Sequence, residues 1–412
     1  MQQVSGNSPS MPRPVDRPVD RSVPAIVIAR GYTALGTLRS LAQAKIPAYA
    51  ACPPDDLCTH SRWYRPPPGA DTWHGEIDDH TAANLGAVAL DQAVLIPGAD
   101  DAALWLAGLA DTALRGRFHV SSSTRETLAI LQDKQRFGQF LRAANLPHPR
   151  TFTLDSQADV SAVPFDELDR VFVKPMDSQH FNNTLGKKGI WARDRGELNR
   201  IWDELHTMGL GVIAQEYVPG SAADHYFIDG FRDRRGNITG VMARRRLRIY
   251  PPDFGNSSYC ETVAPSDVSG AYDTLCELLA QLNYRGIFSA EFKRDSRNGV
   301  FRILEVNTRA WWYVEFAARC GVNVCAMAYD DALERPLSQS PPVTRVGAGC
   351  VNWTNDAKSV LSSEGRRGEP WLRILRQWLR SRFHVLRIND LGPWLHVVGD
   401  TVAQRIRRLV RV

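Results

Sequence analysis

The chain has 412 residues, which exceeds one ordinary core and suits two or three adjoining lobes. Hydrophobic residues make up 43% and charged residues 23%, the balance of a soluble globular protein rather than of a fibrous or disordered one. The net charge of +5 permits anionic small molecules, but no basic stripe interleaved with aromatics runs through the chain, so no nucleic-acid partner is expected.

Met1 to Arg21 is polar, with Pro-Arg and Pro-Val pairs and no hydrophobic signal segment, and is expected to be disordered. Val23 to Ala29 reads as a buried strand, Gly31 to Ala44 as a helix opened by a glycine turn, and Ile46 to Ala50 as a second strand. This order predicts an α/β lobe without the full dinucleotide fingerprint, so Gly31 and Gly36 are read as serving a tight turn and close packing. Strand-like runs follow at Ala87 to Leu90 and Ala93 to Ile96, then a helix after Asp100-Asp101. Ser121 to Thr124 caps a helix from Arg125 to Leu131, and Asp133-Lys134 opens another through Ala144. Pro147 and Pro149 force an extended exit.

Val171 to Pro175 predicts a strand carrying Lys174, followed by a polar, mobile loop through Gly189 that holds Lys187 and Lys188. Arg195 to Met208 is helical, and Gly211 to Val218 is a strand broken at Pro219-Gly220. Tyr226 to Asp229 and Ile238 to Ala243 read as antiparallel strands, and Ala271 to Gln281 as a helix. In the run Arg244 to Tyr259, Arg246 and Arg248 alternate onto one face if it is a strand, and Ser257 and Ser258 are further polar groups for a substrate.

The densest signal is a hairpin made from Phe288 to Phe292 and Ile303 to Arg309, with a polar turn ending at Gly299 between them. Glu305 and Asn307 lie two apart and share a face, and Glu291 joins them across the ladder. Two carboxylates and an amide oxygen are hard ligands suited to Mg²⁺ carrying polyphosphate. Arg309 continues that face and suits a phosphate or a substrate carboxylate.

Trp311 to Ala318 begins another helix, and the tail from about Gln339 has a different character. Trp371 to Arg380 is a basic amphipathic helix, and Val402 to Val410 repeats the pattern. The expected role is a helix packed on the body with its arginines in solvent; contact with a membrane surface or a protein partner is the alternative. The seven cysteines lack CxxC spacing and any zinc-like cluster, so they are expected to be reduced, mostly core thiols of a cytoplasmic protein. No run is apolar and long enough to span a membrane.

In this order, Lys174, Gln215-Glu216-Tyr217-Val218, Glu291 and Glu305-Val306-Asn307-Thr308-Arg309 resemble the ATP-grasp superfamily, most closely the stand-alone carboxylate–amine ligases related to D-aspartate ligase. The resemblance covers roughly Val23 to Leu333. It implies an α/β and α+β architecture: an ATP-grasp fold with an N-terminal Rossmann-like pre-grasp domain. The boundaries it suggests are a pre-grasp domain at 22–124, a small lobe with linker helices at 125–220, a large lobe at 221–338 and a basic extension at 339–412. It assigns ATP to Lys134, Lys174, Glu216, Tyr217, Val218 and Asp224, and Mg²⁺, with Mn²⁺ as a substitute, to Glu291, Glu305 and Asn307. It assigns catalytic charge to Arg309, Arg246, Arg248 and Lys187. The implied reaction joins a small-molecule carboxylate to an amine through an acyl phosphate, in a homodimer formed through the first lobe. The alternatives are a carboxylase or carbamoyl-phosphate type of activator, or a non-catalytic ATP-binding regulator.

Overall fold

The computed structural model of the protein describes residues 21–176, 189–252, 255–337, 346–362 and 368–410. Lys187, Lys188 and the expected loop from residue 177, as well as residues 1–20, lie outside the described residues.

The first lobe is a parallel sheet. The all-buried run Ala25–Ile28 forms β1, with β2 (Ala48–Ala51) on one side, β3 (Ala93–Pro97) on the other and β4 (Phe118–His119) beyond β3. Between β1 and β2 runs α1 (Gly31–Gln43), whose first residue takes φ +57°, a conformation that favours glycine. Gly36 lets α1 approach its neighbour closely: a Cβ there would lie 3.1 Å from Val314 Cγ1. Ala87 closes a short helix, α2 (Thr81–Ala87), so the strand expected at Ala87 to Leu90 does not form and only the second apolar run pairs. The aspartates of Asp100–Leu106 (α3) start that helix, where carboxylates oppose the helix dipole favourably. Thr124 caps α4 (Arg125–Gln132) and Asp133 caps α5 (Lys134–Ala143), each side chain accepting from a backbone N–H.

The second sheet joins β5 (Thr151–Thr153), β6 (Val171–Pro175), β7 (Ile190–Ala192) and β8 (Val212–Glu216) in the order β5-β8-β6-β7, all antiparallel. Two helices, α6 (Gln157–Ala162) and α7 (Arg195–Thr207), accompany it. The third sheet is the largest. It contains β9 (His225–Arg232), β10 (Ile238–Tyr250), β11 (Asn256–Thr262), β12 (Gly286–Arg294) and β13 (Phe301–Asn307). One face is covered by α8 (Ser269–Gln281); α9 (Val314–Arg319) and α10 (Val324–Ala332) belong to the core shared with the first lobe.

The segment read as a C-terminal extension does not hang off this body. It supplies β14 (Gly349–Val351) and, after α11 (Trp353–Leu361) and α12 (Trp371–Arg380), β15 (Arg382–Phe383), giving the seven-stranded order β13-β12-β9-β10-β11-β14-β15. The final helix is α13 (Gly392–Val410). No helix among the described residues is long and apolar enough to cross a membrane. Arg21, assigned to the disordered start, is held by Asp330 at 2.6 and 3.0 Å.

The described cysteines are free thiols, and most are buried, as expected. One pair departs from the sequence reading: Cys52 and Cys58 bring their sulfurs to 3.0 Å, with Asp56 beside them. The Asp56 carboxylate accepts from Cys58 N and from Gly31 N, so it fastens this turn to the start of α1.

A buried charge network ties the tail to both lobes it touches. Arg39 on α1 is fully buried, donating from Nε to Asp390 Oδ2 at 2.9 Å and from Nη1 to Glu315 Oε2 at 3.1 Å. Asp390 also accepts from Ser61 Oγ and Arg62 N. Removing one partner of a buried pair leaves the other charge uncompensated. Asp390→Ala is therefore expected to destabilise the protein by about 3–5 kcal/mol in urea unfolding; a change below about 1 kcal/mol would show that the network does not hold the tail.

Candidate active site

The three sheets surround a cavity of about 1210 Å³. Its floor is the β12–β13 hairpin, where Glu291 is directly opposite Glu305 and Ser289 opposite Asn307. All four line the cavity, so the expected shared face of Glu291, Glu305 and Asn307 exists. Asn307 Nδ2 donates to Glu305 Oε1 at 3.3 Å, which leaves the amide oxygen free to face the same space as the carboxylates.

Two like charges on facing strands repel, and the surroundings resolve this unequally. Burial pushes the Glu291 carboxyl up, but Arg246, His225 and Lys174 outweigh it and hold Glu291 well below the usual range. Arg246 Nη2 lies 3.3 Å and His225 Nδ1 2.9 Å from Glu291 Oε1. The Glu305 side chain reaches solvent through the cavity, yet protein crowds its other sides; desolvation and then Glu291 push its carboxyl up. Burial and Arg246 hold His225 down at about 4, so it is neutral near pH 7.

The opposite wall comes from the small sheet and α5. Lys174 donates from Nζ to Gln215 Oε1 at 2.7 Å and lines the cavity together with Lys134. Burial lowers the Lys174 ammonium, while the charge of Glu305 supports it. Arg309 also lines the cavity, where Asp100 at the start of α3 holds it at 2.9 and 3.1 Å.

Other expected residues stand elsewhere. Arg248 is turned away from the cavity. The ladder between β10 and β11 slips between Arg246 and Arg248, and such a bulge re-aims the following side chain. Arg248 instead binds Asp356 at 2.8 Å, Glu369 at 3.0 Å and Gln377 at 2.6 Å. Ser258 turns the same way, donating to Asp356 at 2.8 Å, whereas Ser257 lines the cavity and accepts from Arg246 Nε at 3.0 Å. Asp224 is occupied locally: its carboxylate accepts from Ser221 N and Oγ in a capping box. Glu216 accepts from Arg150 N at 3.1 Å and Arg297 Nη2 at 2.8 Å, and Gln215 rather than Glu216 lines the cavity. Tyr217 lies under the Arg170 guanidinium, 3.9 Å from its ring centre, and Val218 is buried.

The sequence reading passed over Arg244, Ser289, His225 and Asp100. Arg244 lines the cavity while its Nε donates to the fully buried Asp229 at 2.6 Å, and Ser289 Oγ donates to Asp229 at 2.6 Å. The alternation that pairs Arg246 with Arg248 also includes Arg244, so that signal was present in the strand pattern. Asp100 had no such signal, because its partner Arg309 is 209 residues away.

No protein-family model matches the chain. D-aspartate ligase of Enterococcus faecium is 21% identical over 248 residues, covering 58% of this chain and 59% of that protein. D-alanine–D-alanine ligase of Azoarcus is 29% identical over 150 residues, 36% of this chain and 43% of that protein. The chain thus matches less than two thirds of either relative's length. The biotin carboxylase domain of Hydrogenobacter thermophilus 2-oxoglutarate carboxylase, bound to MgADP and bicarbonate, superposes with TM-score 0.59 at 17% identity, covering 79% of this chain and 72% of that one. N5-carboxyaminoimidazole synthetase of Staphylococcus aureus, bound to ADP, gives 0.60 at 13%, covering 86% and 88%. The fold is the ATP-grasp fold. In this fold the cavity lies between the small sheet, the large sheet and the first lobe.

One wall of the cavity comes from aromatics backed by the tail. Trp312 and Tyr313 line it, and His384 stacks on Tyr313 with ring centres 4.7 Å apart. His384 Nε2 donates to Trp312 O at 2.6 Å, and burial holds the ring down at about 4. A base whose folded pKa lies below its unfolded value takes up protons on unfolding, so stability falls as pH drops from about 6.5 through about 4. We expect His384→Gln to flatten the pH dependence of unfolding free energy across that window, by roughly 3 kcal/mol at most. Parallel profiles for the two proteins would show that His384 is not a buried neutral base.

Proposed function

We propose that the protein is an ATP-dependent carboxylate–amine ligase that forms an amide or peptide bond through an acyl phosphate, releasing ADP and phosphate. The substrates proposed are an amino acid or small peptide-like carboxylate and an amine. The observation that carries this reading is the facing pair Glu291 and Glu305, with Asn307 beside them and Lys174, Lys134 and Arg246 around the same space.

The donor set fits magnesium. Three hard oxygen ligands share one face; burial and then the repulsion of Glu291 push the Glu305 carboxyl up, and a divalent cation would relieve that repulsion. Glu291, Glu305 and Asn307 would hold it, with Mn²⁺ as a substitute. When bound, it offsets charge on the nucleotide phosphates. Lys134 and Lys174 supply fixed positive charge to the same phosphates. Arg246, anchored by Glu291 and Ser257, is placed to steady the substrate carboxylate as one of its oxygens attacks the γ-phosphorus and ADP leaves. The amine then attacks the acyl carbon, the C–O bond to phosphate breaks, and the amine loses a proton as the amide forms. Arg309 adds a further cation to this space once it exchanges Asp100 for an anionic group.

The residues assigned to the adenine and ribose call for a different distribution. Gln215, His148 and Met176 line the cavity beside Lys174, so the base is proposed to meet these groups, with Glu216 bracing the strand from behind. The likeness to a bicarbonate-bound biotin carboxylase supports a second reading, in which the activated carboxylate is bicarbonate.

Purified protein with ATP, magnesium and pooled carboxylates and amines, bicarbonate included, is expected to yield ADP, phosphate and an amide mass. Glu305→Ala is expected to lower the rate at least about 100-fold, and chelation to abolish turnover until Mg²⁺ or Mn²⁺ is restored. AMP and pyrophosphate would reject the acyl-phosphate route; turnover with bicarbonate alone would move the protein to the carboxylating class. ATP binding without turnover across the pools would favour a regulator.

A further inference from the structure

The helix α12 is clamped to the body by one side only. Ile374 is 1% exposed, Trp378 Nε1 donates to Asp356 Oδ2 at 2.7 Å, and Gln377 Oε1 accepts from Arg248 at 2.6 Å. At 3.6 residues per turn these three share one side of the helix. On the other side Leu372, Leu375 and Leu379 are 72%, 51% and 76% exposed. They are spaced at i, i+3 and i+7 and form a continuous stripe. Arg373, Arg376 and Arg380 are also exposed and run alongside that stripe. Residues 371–382 contain no Asp or Glu, and Glu369 just before them is engaged by Arg248 at 3.0 Å. The helix is packed on the body with its arginines in solvent, as expected, but the inward side is the Asp356-binding side and the leucines remain outside.

We propose that α12 docks the protein on the surface of an anionic phospholipid bilayer. The leucine stripe enters the boundary between headgroups and acyl chains, and the arginines beside it reach the lipid phosphates while their stems stay against the apolar layer. Charge complementarity favours this occupant. A second copy would bring the same face against itself and set arginines opposite arginines. A protein partner is disfavoured because leucine is under-represented among the residues that dominate protein interfaces, whereas leucine flanked by arginine typifies helices lying in a membrane interface. A second apolar group on the same tail supports the reading: Ile388 is 91% exposed, Leu391 45% and Leu395 58%. The proposal does not depend on the reaction proposed for the cavity.

The test is sedimentation of the full chain with vesicles of phosphatidylcholine alone and of phosphatidylcholine with one third phosphatidylglycerol. The expected result is binding to the phosphatidylglycerol vesicles only, weakening as salt is raised. The double variant Leu375→Asp, Leu379→Asp should lose binding by about tenfold or more. Each of Arg376→Gln and Arg380→Gln should lower it about fivefold. These side chains are exposed, so an unchanged unfolding transition would verify that the variants fold. Failure of the wild-type chain to bind phosphatidylglycerol vesicles would overturn the proposal. So would equal binding to both vesicle types, or binding insensitive to the leucine substitutions. A concentration-dependent dimer in analytical ultracentrifugation that the leucine variants abolish, with no vesicle binding, would assign the face to a second copy instead.

Discussion

Glu291 and Glu305 face each other across a strand pair, and much of the cavity is arranged to let two like charges stand together. Repulsion of this kind is tolerable only when cations are near or when one group gives up its charge. Here Arg246 converges on Glu291, which the neutral His225 also hydrogen-bonds, while Lys174 and Lys134 stand across the cavity. Glu291 is thereby fixed as an anion, and Glu305 is left more weakly compensated, facing open space. That asymmetry leaves the hairpin with an incompletely compensated carboxylate facing the cavity rather than a closed ion-pair network.

The tail takes part in this arrangement from behind. Asp356 on α11 is fully buried and gathers Arg248, Ser258 and Trp378. It thus draws β10, β11 and α12 together, and β14 and β15 extend the same sheet. Farther along, His384 backs Tyr313 and Asp390 neutralises Arg39 beneath the first lobe. The cavity wall formed by Trp312 and Tyr313 is therefore held by residues late in the chain. A cut at residue 339 would remove strands from the sheet that carries Arg246.

Local patterns explain what was legible beforehand. Strand runs such as Ala25–Ile28, the caps Thr124 and Asp133, and the hairpin holding Glu291 and Glu305 depend on neighbours within a few residues, so periodicity and capping chemistry reveal them. Asn307 followed from the two-residue period alone. Arg248 was misplaced because a one-residue slip in the ladder is invisible to a strict alternation rule. Asp224 and Glu216 stand outside the cavity lining for a different reason. Each carboxylate is taken by nearby donors, Ser221 for one and Arg150 N with Arg297 for the other, and a residue type does not disclose which partner it will find. The tail strands were missed because they are short and derive their pairing from distant partners, β14 from β11 and β15 from β14.

The arginine run shows how partner choice converts one residue type into separate functions. Arg244, Arg246 and Arg248 are all buried, which in isolation would cost more than any surface gain could offset. Each is matched to a different carboxylate: Asp229 on β9, Glu291 in the cavity and Asp356 in the tail. Only the middle partner faces the cavity, so Arg246 is the one whose charge can respond to a ligand. Arg244 and Arg248 stiffen the strand on either side of it, and their buried partners restrict the positions that Arg246 can occupy. A run that reads as redundant positive charge is, in the folded chain, two cavity-lining cations with different buried partners and a third committed to the tail.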